Sequence, residues 1–364
     1  LSSRSPVAQG IGDLFLYKAM MMKFSQFISQ RISQFVFTGS FIGFLLVGCT
    51  TPVTDSNTPA ASSPSSVEAS PQVSQTQEKV VRIGYIKTGL SAIAKQRGVL
   101  EKDLAAQNIK VEWVGPFPSF APLLETINAN SSDIGTGGDI PGLSALSGGL
   151  PACIVAYRPA GVNAEAILVQ GNSDIRTPAD LVGKKVIVNR GGWGEHLLLK
   201  VLEQNNIPKD KVERVYLKPD EALPAFGAGK ADAWVVWDPW VANAEVKFGA
   251  RAIATGEAAP HYGIYLVRRD TWERDADAIK AVLVAHGAEG EWYGKNAQEA
   301  VDVSQKLLGV PKEIAEKAYT RRAEEKVLPL TPEVISNLQA SADWLLKQGV
   351  ISNKVDVAAS VCPN

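Results

Sequence analysis

The sequence has little of the side-chain material from which most active sites are built. Its 364 residues include three cysteines and three histidines. There is no His-Glu-Xaa-Xaa-His, no Gly-Xaa-Ser-Xaa-Gly, no cysteine pairs at zinc spacing and no Walker loop. Zinc hydrolysis, serine hydrolysis and P-loop phosphate chemistry therefore have no residue set to work with. Isolated carboxylates remain as general bases, but no catalytic set assembles and no cofactor is expected. Charge of one sign is lacking too, with 37 Lys and Arg against 38 Asp and Glu. Past Cys49 the acids lead slightly, because Arg4, Lys18, Lys23 and Arg31 lie upstream of it with only Asp13 opposing them. Nucleic acid is not an expected partner. Long apolar runs are missing as well: the stretch from Phe35 to Val47 falls short of the roughly 20 residues of a membrane-spanning helix.

That stretch has another use. Three methionines end at Met22, so residues 1–21 read as a misassigned upstream segment. From Met22 a basic region with Lys23 and Arg31 leads into the apolar run and then Gly48-Cys49, the pattern of a secretory signal peptide over 22–48. Leu46-Val47-Gly48-Cys49 resembles a bacterial lipobox, which makes Cys49 the expected lipidation site and places the protein outside the cytoplasm, anchored by lipid to a membrane. Residues 49–79 are rich in Ser, Thr, Pro, Ala and Gln, cannot form a core, and read as a flexible tether spanning roughly 30 Å. Cys153 and Cys362 remain. A buried thiol is the default for Cys153, and a bond between the two is left open by the sequence.

From Val80 onward short β-branched runs alternate with helical patterns, which implies α/β layers. Strands are expected at 80–85, 111–114, 133–136, 154–157, 166–170, 185–189, 214–217, 233–236 and 263–267. Thr177-Pro178 and Thr331-Pro332 each place a capping hydroxyl before a proline suited to the first helical position, with Gly183 closing the first of these helices. After Asp270 only helical spacing is left. The blocks suggest a first lobe over 80–164, a second over 165–262, and a return to the first with C-terminal helices over 263–364.

In open α/β sheets ligands bind where strands end and helices begin. Four such exits stand out: Tyr85-Ile86-Lys87-Thr88-Gly89, Thr136-Gly137-Gly138-Asp139-Ile140-Pro141, Asn189-Arg190-Gly191-Gly192-Trp193-Gly194-Glu195-His196, and Trp234-Val235-Val236-Trp237-Asp238-Pro239-Trp240. Glycines there let backbone N–H groups and helix dipoles converge on an anion. The same glycines taken one by one also serve as plain tight turns. The candidate ligand-binding residues are Lys87, Thr88, Gly137, Gly138, Asp139, Gly191, Gly192, Trp193, His196, Trp237 and Asp238. Asp238 before Pro239 reads first as a helix cap. His196 reads equally as an anion donor or a solvated histidine, while His261 and His286 read as structural. Trp234 and Trp237, three apart on a strand, face opposite ways. Trp113, Trp272, Trp292 and Trp344 look like packing residues.

At these exits the sequence resembles the aliphatic-sulfonate-binding proteins of ABC importers, relatives of the taurine- and nitrate-binding proteins. The resemblance rests on Arg82-Ile83-Gly84-Tyr85, Asp133 through Pro141, Ala164-Glu165-Ala166-Ile167-Leu168-Val169, Asp232 through Pro239, and Leu197-Leu198-Leu199. It implies a two-lobed type II periplasmic-binding-protein fold with a ligand cleft between the lobes and a helical C-terminal region. The implied cargo is a small alkanesulfonate-like anion, handed by a monomeric, non-enzymatic carrier to an ABC permease and its ATPase. Taurine, nitrate, a phosphonate or a thiamine precursor are the alternative cargoes, and a thiamine-pyrimidine synthase-like enzyme is the alternative of another class. Where the family carries a serine-rich stretch before the histidine, this chain has Gly191-Gly192-Trp193-Gly194, so hydroxyl donors give way to backbone and an indole. On a sulfonate, Asp139 is expected to act as a cap or to serve an amine of the ligand.

Overall fold

The computed structural model describes residues 78–159, 161–322 and 324–363; the expected signal peptide, Cys49 and nearly all of the tether lie outside them. In chain order the elements are β1 (Lys79–Ile86), α1 (Leu90–Arg97), α2 (Val99–Ala105), β2 (Ile109–Phe117), α3 (Phe120–Asn128), β3 (Ile134–Gly138), α4 (Asp139–Ser147), β4 (Ala152–Pro159), β5 (Glu165–Val169) and β6 (Lys185–Val188). Then come α5 (Trp193–Gln204), β7 (Glu213–Tyr216), α6 (Pro219–Gly227), β8 (Ala233–Trp237), α7 (Trp240–Phe248), β9 (Arg251–Thr255), β10 (Tyr262–Arg268), α8 (Arg269–Lys295), α9 (Ala297–Leu308), α10 (Lys312–Arg321) and α11 (Pro332–Lys347).

Two five-stranded sheets result, ordered β2-β1-β3-β10-β4 and β7-β6-β8-β5-β9. In each, four strands run the same way and the strand that enters from the other sheet runs antiparallel to both its neighbours: β10 between β3 and β4, β5 between β8 and β9. Both faces of each sheet are covered. In β10, Ile264 and Leu266 join a core with Phe120, Leu123 and Ile140, while Tyr265 and Val267 join another with Leu100, Ile279 and Val282. In the second sheet Ile167, Val186 and Val235 pack with Leu197 and Val201 of α5, and Leu168, Ile187 and Trp234 pack with Phe226 of α6. Strands buried on both faces have no polar side to alternate with, so they read as continuous apolar runs.

The chain crosses between the sheets twice, through a 3₁₀ turn at Val162–Ala164 and again through one at Gly256–Ala258. The crossings lie side by side. A Cβ on Gly256 would stand 2.7 Å from the carbonyl oxygen of Val162, so this approach admits only glycine. The two-lobed α/β expectation is borne out. Three local readings are corrected. Pro178–Leu181 forms only a 3₁₀ turn, held by Asp180 Oδ2, which accepts from the amide and the hydroxyl of Thr177 at 2.9 and 3.1 Å. The C-terminal quarter is not all helix: after α11 the chain runs irregularly back to the first sheet, where the amide of Cys362 donates to the Ile154 carbonyl and Val361 bridges Ile154. Finally, Cys153 is not a free thiol. It is bonded to Cys362, with Cα atoms 4.9 Å apart, which ties β4 to the chain end 209 residues on.

Candidate functional site

Right-handed β-α units place every helix start at the carboxyl end of the strand before it. In this protein the consequence is a convergence on one cavity of about 460 Å³ between the sheets. Its wall takes Thr88, Gly89 and Leu90 from the start of α1, Ser119 and Phe120 from α3, and Gly138 and Pro141 from α4. The opposite wall takes Gly192 and Trp193 from α5, Lys218 and Pro219 from α6, and Asp238 and Pro239 from α7. None of α1, α3 or α5 has a side chain capping its first amides. The first-turn N–H groups of a helix have no partner within the helix, so these ends offer donors and a positive dipole terminus to the cavity.

The loop before α5 is the most elaborately held. Gly191 sits at φ 62°, left-handed backbone that a side chain would strain. Glu195, buried on the first turn of α5, accepts from the Gly191 amide (2.8 Å), Arg214 Nη1 (3.0 Å) and the Tyr216 hydroxyl (2.7 Å). Tyr216 in turn carries the Arg190 guanidinium 3.7 Å above its ring. Arg190 and Lys218 both line the cavity, and neither makes an ion pair among the described residues. Arg158, also on the wall, is committed to Glu325 at 2.9 Å.

Of the residues singled out in the sequence, Thr88, Gly137, Gly138, Gly192, Trp193, Trp237 and Asp238 line this cavity and Lys87, Asp139, Gly191 and His196 do not. Lys87 reaches across the gap to Asp220 at 2.8 Å. Asp139 is wholly buried and accepts three N–H groups, from Ile140, from Tyr262 and from the Trp193 indole. It ties the lobes together, bonds the next amide of its own helix, and has a donor on each oxygen. Burial pushes its carboxyl up to about 6 against those three bonds. His196 is neither an anion donor nor solvated. Its ring is buried edge-on against Trp344, and burial pulls its pKa down to about 4. Asp238 accepts from the Ala242 amide of α7, as a cap would, but also holds Arg321 of α10 through both oxygens at 2.9 Å. Burial pushes it to about 6 despite Arg321. Trp234 is buried beside Phe226, and Trp237 faces the cavity.

Sequence reasoning passed over Arg190, Lys218, Arg158 and Glu165. Arg190 adjoined the glycines and was legible as a cation beside uncapped amides. Glu165 carries a plainer signal, an acid opening an otherwise apolar run. It is buried on the cavity wall, its Oε1 accepts no hydrogen bond, and it lies 3.5 Å from His261 Nε2, which is likewise without a partner. Burial, with Asp139 adding to it, holds the Glu165 carboxyl well above the usual range, and burial holds His261 well below its own.

Comparison with known proteins agrees with this architecture. The alkanesulfonate-binding protein SsuA from Xanthomonas axonopodis pv. citri, bound to MOPS, superposes with a TM-score of 0.74 at 32% identity, over 78% of this chain and 98% of that one. The periplasmic aliphatic sulphonate binding protein SsuA from Escherichia coli gives 0.72 at 30% identity, over 78% and 92%. The taurine-binding periplasmic protein of Escherichia coli (strain K12) is 28% identical over 65% of this chain and 69% of its own. The NMT1/THI5 like family model matches residues 93–288. With that model matched over more than half of its length, and with SsuA proteins of two organisms aligned along most of the folded part, the chain belongs to the NMT1/THI5-like family.

Proposed function

We propose that this protein is the solute-binding component of an ABC importer for aliphatic sulfonates, holding the anion between its lobes. The observation that carries the reading is the convergence of uncapped helix starts from both sheets on a cavity that also holds the unpaired cations Arg190 and Lys218. A sulfonate is a permanent anion with acceptors and no proton to give, so a site made of donors suits it. Trp193, Trp237, Leu90 and Ile93 supply apolar wall for an organic tail, which bare nitrate would leave unfilled. The volume falls within the roughly 300–1,000 Å³ common to small-molecule sites.

The Cys153–Cys362 bond supports function in an oxidising compartment outside the cytoplasm. Export through residues 22–48, lipidation at Cys49 and delivery to a permease and its ATPase by a monomeric, non-enzymatic carrier complete the proposal. Titration calorimetry with alkanesulfonates of two to eight carbons, taurine, an alkylphosphonate, nitrate and a thiamine pyrimidine precursor tests it. An alkanesulfonate should bind in the micromolar range or tighter, and Arg190→Ala should weaken it about tenfold. Binding of another panel member with no sulfonate bound at millimolar concentration would overturn the cargo.

A further inference from the structure

Resting on the sulfonate reading, we propose that Glu165 is a specificity-determining residue: its carboxylate receives an ammonium group on the tail of the sulfonate, so the preferred cargo is an amino-sulfonate. Glu165 opens β5, at the point where the chain first enters the second sheet, and forms part of the cavity wall. It is buried, and its Oε1 takes no hydrogen bond. A buried carboxylate without a donor or cation is costly unless it is neutral or something else supplies the partner.

Among the described residues no Lys or Arg pairs with Glu165, and His261 is the one basic side chain within 4 Å of it. Asp139, whose charge bears on Glu165, is another acid and accepts three N–H groups of its own. Trp237, its register partner on β8, has no charge to give. Asp238, which follows Trp237, is paired with Arg321, and Arg158 is paired with Glu325. His261, 3.5 Å away, packs against Trp193, and burial holds its pKa well below the usual histidine value. Glu165 is thus an acid on the cavity wall, while three cations of that wall make no ion pair among the described residues: Arg190, Lys218 and Arg322, the last bonded to the carbonyls of Tyr319 and Gly294. An anion held by Arg190 and Lys218 and an ammonium turned to Glu165 would satisfy both.

Burial raises the Glu165 carboxyl well above the usual carboxylate range in the empty protein. Binding an ammonium stabilises the carboxylate, so whatever proton Glu165 carries in the empty protein passes to the buffer as the carboxylate–ammonium pair forms. The test compares 3-aminopropanesulfonate with butanesulfonate, nearly equal in shape, by calorimetry in two buffers of different ionisation enthalpy. Wild type should bind the amino compound about tenfold more tightly and release protons to the buffer, while butanesulfonate releases none. Glu165→Gln, checked for folding by its melting curve, should bind both about equally and release no proton. Equal affinity and no proton release in wild type would overturn the assignment whether or not the variant folds. So would a Glu165→Gln variant that keeps the preference or weakens both ligands alike, since either marks a structural role. Failure of wild type to bind either compound would instead remove the sulfonate reading, and this inference with it.

Discussion

The Trp193 indole N–H donates to Asp139 Oδ1 over 3.0 Å, and these two residues are the first of α5 and of α4, helices that pack on different sheets. The two glycine-bearing exits on which an anion was expected to rest are thus fastened to each other by a side-chain bond. Gly138 makes room for it: a Cβ there would meet Trp193 Nε1 at 3.1 Å.

Trp193→Phe keeps the ring but removes the donor, leaving a buried carboxyl short of one partner. The expected cost is about 1–3 kcal/mol, felt in thermal stability and in about tenfold weaker ligand binding because the closed arrangement loses a tie. Small-angle scattering with and without ligand should show the variant more open. Unchanged affinity and scattering would assign the bond no part in closure.

Arg321 holds Asp238 and Glu245, and Lys317 reaches Glu245 at 3.1 Å, so α10 is clamped onto the second lobe through α7. Arg321→Ala should leave Asp238 buried without its cation and cost about 3–5 kcal/mol in chemical denaturation. Adding Asp238→Asn should recover part of that loss, because a neutral amide needs no counter-charge.

The bond between Cys153 and Cys362 closes a loop of 209 residues. On the chain-entropy account its removal should destabilise the fold by about 5 kcal/mol. Cys153→Ser with Cys362→Ser, or reduction, should lower the melting temperature clearly, and alkylation of the unreduced, denatured protein should label neither cysteine.

His196 has a folded pKa of about 4 against 6.5 for the free side chain, so the unfolded chain takes up a proton that the folded one refuses. Its contribution to stability is full above pH 6.5 and is lost as pH falls toward 4, by about 3 kcal/mol in all. Its ring proton shifts should stay flat in NMR titration from pH 8 to 5, and His196→Phe should show a shallower loss of stability over pH 6.5 to 4. A ring titrating near 6.5 would contradict its burial against Trp344.

Much of the site was written locally. Glycine and proline at strand exits mark a turn of chain and a helix start whatever surrounds them, and all four exits place two or more residues on the cavity wall, among them Gly137 and Gly138, Gly192 and Trp193, Trp237 and Asp238. At the first exit the wall takes Ile86, Thr88 and Gly89 and passes over Lys87, which faces Asp220 instead. The misread residues are those whose surroundings come from far along the chain. His196 looks solvated beside glycines until Trp344 covers it, and Asp139 looks free until Trp193 and Tyr262 arrive.

The sequence alone determined the alternation of strands and helices, because apolar periodicity and capping residues act within a few positions of each other. It also determined that anion-seeking amides stand at strand ends, since that follows from the direction of the chain through each β-α unit. Only the tertiary structure decided which carboxylates were spent and which was left over. Burial and hydrogen-bond partners are set by residues 54, 83 or 123 positions away, so Asp139, Asp238 and Glu165, three acids alike in sequence, became a tie, an ion pair and an acceptor without a hydrogen bond.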